Sequence, residues 1–230
     1  MLNLYNNNLT KATAKYQEEN LETVKTCIFC GIDKSIETYF ETPNFLIAAN
    51  PFYIVPGHLM IISKSHYGCV GELPSGLFEE FIACKTFAQN IIKKQLNIDP
   101  IFYEHGRAGS CISTSEDDAK CEHMHFHILP ININISDKIL NNLKTIQTTT
   151  SGIRDQFEKY GSYLFFENKD GGRFSIIEDV TEIPPHYFAT LIANAANIPE
   201  KSDWQAFKPD YITARKDFLE LFGNEKQDAA

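Results

Sequence analysis

The chain has 230 residues, of which 43% are hydrophobic and 12% aromatic, so it holds enough apolar material to bury a core. Its formal net charge of -9, from 30 acidic and 21 basic side chains, argues against a protein that grips a nucleic-acid duplex by neutralising phosphates broadly. A small pocket can still bind an anionic ligand, because local donors decide such binding. We find no signal-peptide pattern and no apolar window near the roughly 18 residues of a membrane span. We therefore expect a cytoplasmic protein that does not associate with membranes.

The first half of the chain is predicted to combine short strands with one long helix. A polar stretch over residues 1–26 is expected to form a surface helix. Residues 74–96 place apolar side chains near the 3.6-residue period, which predicts an amphipathic helix. Residues 106–121 are small and polar and are expected to form a loop. Apolar runs and turn residues predict strands at residues 39–41, 45–49, 58–63, 101–105 and 122–129.

The second half is predicted to contain a hairpin among helices. Residues 137–160 predict a weak, interrupted helical stretch. The sequence NKDGG predicts a hairpin between strands over residues 162–167 and 173–178. Further helices are expected over residues 184–196 and 211–222. Paired strands around one long helix indicate an α+β fold built on an antiparallel sheet.

The segment EHMHFHILP carries three histidines, His123, His125 and His127, that alternate with apolar residues. On a strand the three imidazoles point to one face and the apolar residues into the core. Imidazoles on one face repel when protonated, so at least one pKa should fall and neutral rings should be favoured. Neutral imidazole is a nucleophile, a general base or a metal ligand. The pattern predicts a reactive site, with a metal-dependent hydrolase that uses the triad as ligands as the alternative to nucleophilic catalysis.

Cys27 and Cys30 form a C-x-x-C pair. In a reducing compartment such a pair more often indicates metal or redox chemistry than a disulfide. A metal site is the favoured interpretation, and a redox pair or two buried thiols are the alternatives.

Three motifs resemble those of the histidine-triad family. HMHFHIL resembles its pattern His-φ-His-φ-His-φ-φ, where φ is apolar, and PGHLMIISKSH resembles a second block, with Ser63 where a Pro is common. CIFC resembles the zinc knuckle that many members carry. The resemblance covers about residues 27–131. It implies a histidine-triad-like fold, an antiparallel sheet with a long helix packed on it, plus a C-terminal hairpin-and-helix extension.

The resemblance also implies a division of the chain into three segments. A polar helical segment over residues 1–26 would precede a catalytic domain over residues 27–135. An α/β extension over residues 136–230 would pack on that core.

The resemblance implies roles for individual residues. His125 would attack the α-phosphorus of a nucleotide and form a nucleotidyl-histidine, from which water, phosphate or another acceptor would take the nucleotide. His127 would contact the phosphate, and His58 would support the triad from behind. Asn50, eight residues before His58, would bond the ribose hydroxyls.

Two further contacts to the nucleotide are expected near the loop before the triad. His105 lies where members often carry Asn or Gln facing the phosphates, with a satisfied histidine at a strand end as the alternative. Ser110 is the candidate for the phosphate contact, although Ser113, Ser115 or Lys120 could serve instead, or all could be solvated loop residues.

The zinc knuckle implies a structural metal ion. Members with this knuckle complete a tetrahedral Cys2His2 set with a histidine after the PGH strand and with the first histidine of the triad. The matching residues are Cys27, Cys30, His66 and His123, and the implied cofactor is Zn²⁺.

The implied activity is hydrolysis of phosphoanhydride or phosphoramidate bonds at a nucleotide α-phosphate, with a nucleotide or dinucleotide as the small-molecule partner. His127 favours hydrolysis, because transferases of the family typically carry Gln at this position. A nucleotidyl transferase or phosphorylase is the alternative, and a non-catalytic nucleotide or RNA-end binding protein is another. A homodimer is one assembly that the resemblance implies.

Residues 161–222 resemble an extension of larger histidine-triad proteins related to splicing and lariat-processing factors. The extension is expected to act as a structural cap on the sheet. The alternative is that its hairpin or His186 narrows the pocket and selects the substrate.

Overall fold

A computed structural model of the chain describes residues 29–30, 36–108, 123–140, 143–179, 182–202 and 210–223. These residues form one antiparallel sheet, whose strands are β1 (Thr38–Glu41), β2 (Phe45–Ala49), β3 (Leu59–Ser63), β4 (Ile101–Gly106), β5 (His125–Leu129), β6 (Thr145–Thr148), β7 (Tyr163–Asn168) and β8 (Gly171–Ile176). Their order across the sheet is β1-β2-β3-β5-β4-β7-β8-β6. The helices are α1 (Ser75–Leu96), α2 (Ser136–Leu140), α3 (Ile153–Tyr160), α4 (Tyr187–Ala195) and α5 (Tyr211–Phe222).

The α+β fold class is confirmed, since an antiparallel sheet carries one long helix. The hairpin β7–β8 and the helices α1, α4 and α5 lie where the sequence predicted them, within a few residues. Strand β5 begins at His125 and not at residue 122. The predicted segment over residues 1–26 lies outside the described residues.

The prediction of a helical stretch over residues 137–160 is wrong in its middle. Residues Thr145–Thr148 form strand β6, which pairs with β8 from Thr145↔Ser175 to Thr148↔Gly172. The sequence TIQT is rich in β-branched side chains, and pairing with a neighbouring strand overrides the weak helical pattern. Strands β7, β8 and β6 therefore extend the same sheet that holds the histidines, and β7 pairs with β4.

One face of the sheet packs on α1. This helix buries Leu77, Phe81, Ala88 and Ile92, which are spaced at helical periodicity. They pack against Phe45, Ile61, Phe126, Ile128 and other strand residues in one hydrophobic cluster. The buried strand side chains follow the alternation of β-structure, so the remaining side chains point to the opposite face.

The opposite face carries two separate hydrophobic clusters with the histidines between them. Ala48, Met60 and Ile62 form the smaller cluster on β2 and β3. The larger one covers β4 and β7 and includes Tyr103 and, from helix α4, Phe188. Strand β5 runs between β3 and β4, so its outward side chains line the gap between the two clusters.

A glycine shapes the turn before β3. Gly57 has φ 76, a left-handed conformation that favours glycine. A Cβ at this position would come within 2.8 Å of Leu221 Cδ1 on α5. A side chain at residue 57 would therefore require Leu221 to move, because α5 packs directly on the turn that delivers His58 to the sheet.

Among the described residues, no helix combines the length and the apolar character needed to cross a membrane. The expected cytoplasmic location stays a prediction.

A nearly buried ion pair ties α1 to the middle of the sheet. Lys85 on α1 pairs with Glu167 on β7, and their side chains are 10% and 15% exposed. The Lys85 ammonium also lies 3.9 Å from the centroid of the Phe102 ring. The second carboxylate oxygen of Glu167 accepts hydrogen bonds from the backbone N–H and the hydroxyl of Thr150, both at 2.8 Å. Each charge is therefore compensated by specific partners, as buried charges require.

Removing one partner of this ion pair should destabilise the folded protein. We expect Glu167→Ala to lower the free energy of unfolding by about 3 kcal/mol, because it leaves the Lys85 ammonium buried without its carboxylate. Urea denaturation would measure the loss. The matched control is Asp99→Ala in the exposed pair of Lys93 and Asp99, which we expect to change stability by less than about 0.5 kcal/mol. Equal losses in the two variants would contradict the role assigned to the buried pair.

Candidate active site and metal centre

His125 and His127 lie side by side on the outward face of β5. His125 is opposite Ile62 on β3, and His127 is opposite Met60 on β3 and Tyr103 on β4. The two ring centroids are 4.9 Å apart. The intervening Phe126 is fully buried on the α1 side, as the alternation in the sequence predicted.

The backbone selects one tautomer of His125. Its Nδ1 lies 2.7 Å from the carbonyl oxygen of His123, which can only accept a hydrogen bond. Nδ1 therefore carries the proton and donates it. In the neutral ring, Nε2 then holds the lone pair, so it is the nitrogen that can act as a nucleophile.

A second chain of hydrogen bonds selects the tautomer of His127. The backbone N–H of Ile54 donates to Nδ1 of His58 at 3.2 Å. Nε2 of His58 must then carry the proton, and it lies 3.0 Å from Nδ1 of His127. His127 accepts at Nδ1 and carries its own proton on Nε2. The two neighbouring rings thus differ, since His125 offers a lone pair at Nε2 and His127 offers an N–H.

Burial keeps the supporting rings neutral. Desolvation, together with a smaller effect of the charge of His125, lowers the pKa of His58 to about 3. Desolvation also places the pKa of His127 well below its ordinary value, with further lowering by His125, His58, His105 and His186. Neutral rings suit a site for an anionic phosphate, because they donate or attack without first losing a proton.

Aromatic rings flank the histidines on both sides. Phe29 stacks on His125 with ring centroids 4.9 Å apart, and Tyr103 stacks on His127 at 4.2 Å. Phe29 belongs with the cluster on β2 and β3, whereas Tyr103 is part of the larger cluster. The rings are therefore held between packed aromatic surfaces, which restrict their rotation.

Helix α4, in the second half of the chain, contributes another aromatic ring to this site. Phe188 stacks on His105 with centroids 5.4 Å apart and an angle of 4° between the planes. Its backbone N–H donates to Nε2 of His105 at 3.4 Å. The ring centroid of His105 also lies 6.0 Å from that of Tyr103, and the charge of His105 lowers the pKa of His127. His105 therefore belongs to the same site.

Three predicted metal ligands come together at the other end of the triad. Cys30, His66 and His123 offer ligand atoms that all lie within 4.8 Å of one another. The sulfur of Cys30 is 3.1 Å from Nδ1 of His66 and 3.4 Å from Nδ1 of His123. Soft thiolate and imidazole donors at this spacing fit a transition metal ion such as zinc. Cys27, the fourth predicted ligand, lies outside the described residues.

The orientation of His123 also suits a metal ligand. Its Nε2 lies 2.6 Å from the backbone oxygen of Ser63, so it donates a hydrogen bond there. Nδ1 is then the acceptor nitrogen and faces Cys30 and His66. A backbone carbonyl that fixes the far nitrogen is the usual way in which metal-binding histidines are oriented.

Two other predicted site residues are Asn50, which lies beside His58, and Ser110. Asn50 is 4% exposed, and its Oδ1 accepts from the backbone N–H of Phe52 at 2.9 Å. Its Nδ2 lies 3.3 and 3.4 Å from the two ring nitrogens of His58, so Asn50 packs on the hydrogen-bonded histidine pair. Its role towards ribose stays a prediction. Ser110 lies outside the described residues.

Several residues of the site were not predicted from the sequence. Tyr103, Phe29 and Ser63 hold histidines through stacking or a carbonyl oxygen, and such contacts depend on tertiary neighbours. For Tyr103 a signal was present, because it lies two residues before His105 on one strand and therefore shares its face.

Comparisons with known proteins found distant likenesses in structure. No family model and no curated protein sequence matches the chain. One similar solved structure is a hypothetical histidine triad nucleotide-binding protein from Sulfolobus tokodaii, at 21% identity and a TM-score of 0.36, covering 45% of this chain and 68% of that one. Another is a GalT-like protein from Arabidopsis thaliana, at 18% identity and a TM-score of 0.38, covering 57% of this chain and 42% of that one.

A third similar structure is a Hit-like protein involved in cell-cycle regulation from Bartonella henselae. It has 19% identity and a TM-score of 0.31, covering 54% of this chain and 83% of that one. At these TM-scores the likenesses add nothing to the chemistry of the site, which rests on its own residues.

The tautomers can be measured by nitrogen-15 NMR. We expect a proton on Nδ1 of His125 and on Nε2 of both His58 and His127. We also expect His58 to take up no proton as the pH falls from 8 to 5, because its pKa is about 3. Since this folded-state pKa lies below the ordinary value of 6.5, the unfolded chain binds the proton more readily, and stability from this ring is lost as the pH falls from 6.5 towards 3. A titration of His58 near pH 6.5 would contradict the buried, accepting ring.

The metal cluster can be tested by measuring how much metal the purified protein and its variants contain. We expect Cys30→Ser and His66→Ala each to reduce the transition metal bound per chain and to lower the melting temperature, because each removes a ligand. Elemental analysis of purified protein and thermal unfolding would measure both effects. The matched control is Cys84→Ala, a free buried thiol on α1 that lies outside this cluster, which should retain the metal. Metal content equal to that of the control in the ligand variants would contradict the assignment.

Proposed function

We propose that the chain is a histidine-triad hydrolase that acts on phosphoanhydride or phosphoramidate bonds at the α-phosphate of a nucleotide. The observation that carries this proposal is the pairing of tautomers on β5. His125 has its Nδ1 proton fixed on a backbone carbonyl, which leaves the lone pair on Nε2. His127, with its ring 4.9 Å from that of His125, carries a proton on Nε2 because His58 donates to its other nitrogen. A nucleophile beside a hydrogen-bond donor is the arrangement that attack on a phosphate requires.

The reaction would proceed in two displacements. In the first, Nε2 of His125 forms a bond to the α-phosphorus, and the bond to the leaving oxygen or nitrogen breaks with its electron pair. A leaving oxygen departs as an oxyanion, and a leaving nitrogen takes up a proton from solvent and departs as the amine. The Nε2–H of His127 donates a hydrogen bond to the phosphate group and stabilises the charge that develops there. In the second, the oxygen of water forms a bond to phosphorus, the bond to Nε2 breaks, and the electron pair returns to His125. The water releases a proton to solvent.

The supporting residues have proposed roles in the same reaction. His58 keeps His127 in its donating tautomer, and Asn50, which packs on His58, is proposed to bond the ribose hydroxyls. His105 and Ser110 are proposed to contact the phosphates. We further propose that residues 27–135 form the catalytic domain and residues 136–230 an extension packed on it. A homodimer stays a prediction.

We also propose that the metal cluster holds a structural zinc ion bound by Cys27, Cys30, His66 and His123. The thiolate and imidazole donors of the described cluster support zinc, and the four residues would make a closed tetrahedral site. Such an ion would fix the position of His123, whose carbonyl oxygen orients His125.

Turnover and trapping of the intermediate would test the proposed activity. We expect purified protein to release nucleotide from adenosine phosphoramidates or diadenosine polyphosphates, with a labelled nucleotidyl-protein adduct after an acid-free quench. His125→Ala should lower the rate by roughly a thousandfold or more, since it removes the nucleophile. His127→Ala should lower it by roughly a hundredfold, as expected for the loss of one donor to the phosphate.

The controls separate the competing activities. His105→Ala should still form the adduct, because His105 is not the attacking group. Activity that survives brief treatment with a chelator favours the nucleophilic mechanism, whereas activity lost with the metal and restored by it would support a metal-dependent hydrolase. Adduct that is discharged by phosphate and not by water would indicate a phosphorylase. Nucleotide binding without any adduct would overturn the proposal.

A further inference from the structure

The ring of His125 lies against the face of an aromatic side chain. Phe29 stacks on it with ring centroids 4.9 Å apart and an angle of 27° between the planes. The same phenyl ring is tilted by 51° from the ring of His123, and those two centroids are 5.8 Å apart. Phe29 is therefore closer to the reactive ring, and more nearly parallel to it, than to the ring of the predicted metal ligand.

Aliphatic neighbours hold Phe29 in this position. The ring packs against the cluster of Ala48, Met60 and Ile62 on β2 and β3, and Ile62 is opposite His125 in the strand register. Such a cluster requires only apolar area at residue 29, which a leucine would also provide. An aromatic ring adds a property that aliphatic side chains lack, namely a negative electrostatic potential over its face.

The stacked ring leaves the attacking nitrogen of His125 uncovered on its own side. The lone pair of an imidazole nitrogen lies in the plane of the ring, whereas Phe29 lies over a face of the ring. Nδ1 is bound to the carbonyl oxygen of His123 at 2.7 Å, and Nε2 is at the other edge of the ring. The approach of a phosphorus atom to Nε2 therefore does not require Phe29 to leave the imidazole.

The proposed reaction changes the charge of the His125 ring twice. When Nε2 bonds to the α-phosphorus, the leaving group departs with the electron pair of its own bond, and the ring, which keeps its Nδ1 proton, gains one positive charge. When the oxygen of water bonds to phosphorus, the electron pair of the P–N bond returns to Nε2, the water releases a proton to solvent, and the ring is neutral again. An aromatic face stabilises a cation within about 6 Å of its centroid, and Phe29 meets that condition.

We propose that Phe29 is a positioning residue that holds its aromatic face against His125 and stabilises, by a cation–π contact, the positive charge of the nucleotidyl-histidine. The inference rests on the proposed function. The contact accelerates adduct formation, in which the charge appears, and slows discharge by water, in which the charge is lost. A side chain that only filled space would not have opposite effects on the two steps.

The first experiment places fluorinated phenylalanines at residue 29. Fluorine atoms withdraw electron density from the ring and weaken the potential over its face, with little change in size. Single-turnover kinetics would measure adduct formation and discharge separately for mono-, di- and trifluorophenylalanine. We expect formation to slow and discharge to accelerate with each added fluorine, by roughly twofold each across the series, as expected when one weak contact is shared between two steps.

The matched control carries the same analogues at Phe40 on β1. Phe40 is half-buried like Phe29 and packs against another ring, Phe87 on α1, with centroids 4.6 Å apart. Both rates should stay unchanged there. Changes of the same sign in the two steps at residue 29, or equal changes at residues 29 and 40, would overturn the inference. Should the fluorinated proteins fail to fold, Phe29→Trp serves instead, and its stronger face should accelerate formation and slow discharge.

The second experiment needs no catalytic activity. His125→Arg places a planar, permanent cation at residue 125, and His125→Gln places a planar neutral group there. Trifluorophenylalanine at residue 29 should lower the urea midpoint of unfolding more in the arginine variant than in the glutamine variant, because only the arginine loses a cation–π contact. Equal shifts of the midpoint in the two variants would contradict the inference.

The two experiments distinguish a failure of this inference from a failure of the proposed function. Absence of an adduct in wild-type protein, together with a larger midpoint shift in the arginine variant, would overturn the proposed function and retain the contact between Phe29 and a cation at residue 125. Formation and discharge rates that do not respond to fluorination would overturn the inference and retain the proposed function.

Discussion

The arrangement of the site depends on one hydrogen bond, from Nδ1 of His125 to the carbonyl oxygen of His123. That bond decides which nitrogen of His125 holds the lone pair, and it exists because the backbone turns into β5 at this point. His123 therefore acts twice, since its carbonyl orients His125 while its ring joins the metal cluster with Cys30 and His66. Any shift of His123 moves the ligand set and the reactive ring together. A metal ion bound at this cluster would therefore also hold the carbonyl oxygen that orients the His125 ring.

The second constraint is that His125 and His127, whose ring centroids are 4.9 Å apart, must hold their protons on different ring nitrogens. The side chain is the same in both cases, so the tautomer of each histidine is selected by the groups to which it is hydrogen-bonded. A carbonyl oxygen faces His125, whereas a donating ring faces His127, and that ring is itself fixed by the backbone N–H of Ile54. Burial removes the cationic alternatives of His58 and His127. The difference between the rings thus comes from backbone groups whose positions follow from the strands on either side.

Much of this arrangement could be predicted from the sequence. The alternation in HMHFHIL placed His125 and His127 on one face and Phe126 in the core, and the α+β architecture followed from the strand and helix patterns. The strand Thr145–Thr148 could not be predicted, because its pairing with β8 outweighs a weak local pattern. Phe29 stacks on His125 although the two residues are distant in sequence, and the carbonyl of Ser63 binds His123 whatever side chain residue 63 carries. Contacts of this kind leave no trace in local periodicity.

The position of Leu221 against Gly57 has a consequence for how the protein is made. The turn that carries His58 is completed by a side chain more than 160 residues further along the chain, on helix α5. During synthesis the segment with Gly57 leaves the ribosome long before α5 does, so in the nascent chain this turn lacks the side chain that packs on it. Contacts between such distant segments form late in folding. The turn before β3 therefore reaches its final packing only after α5 has been synthesised.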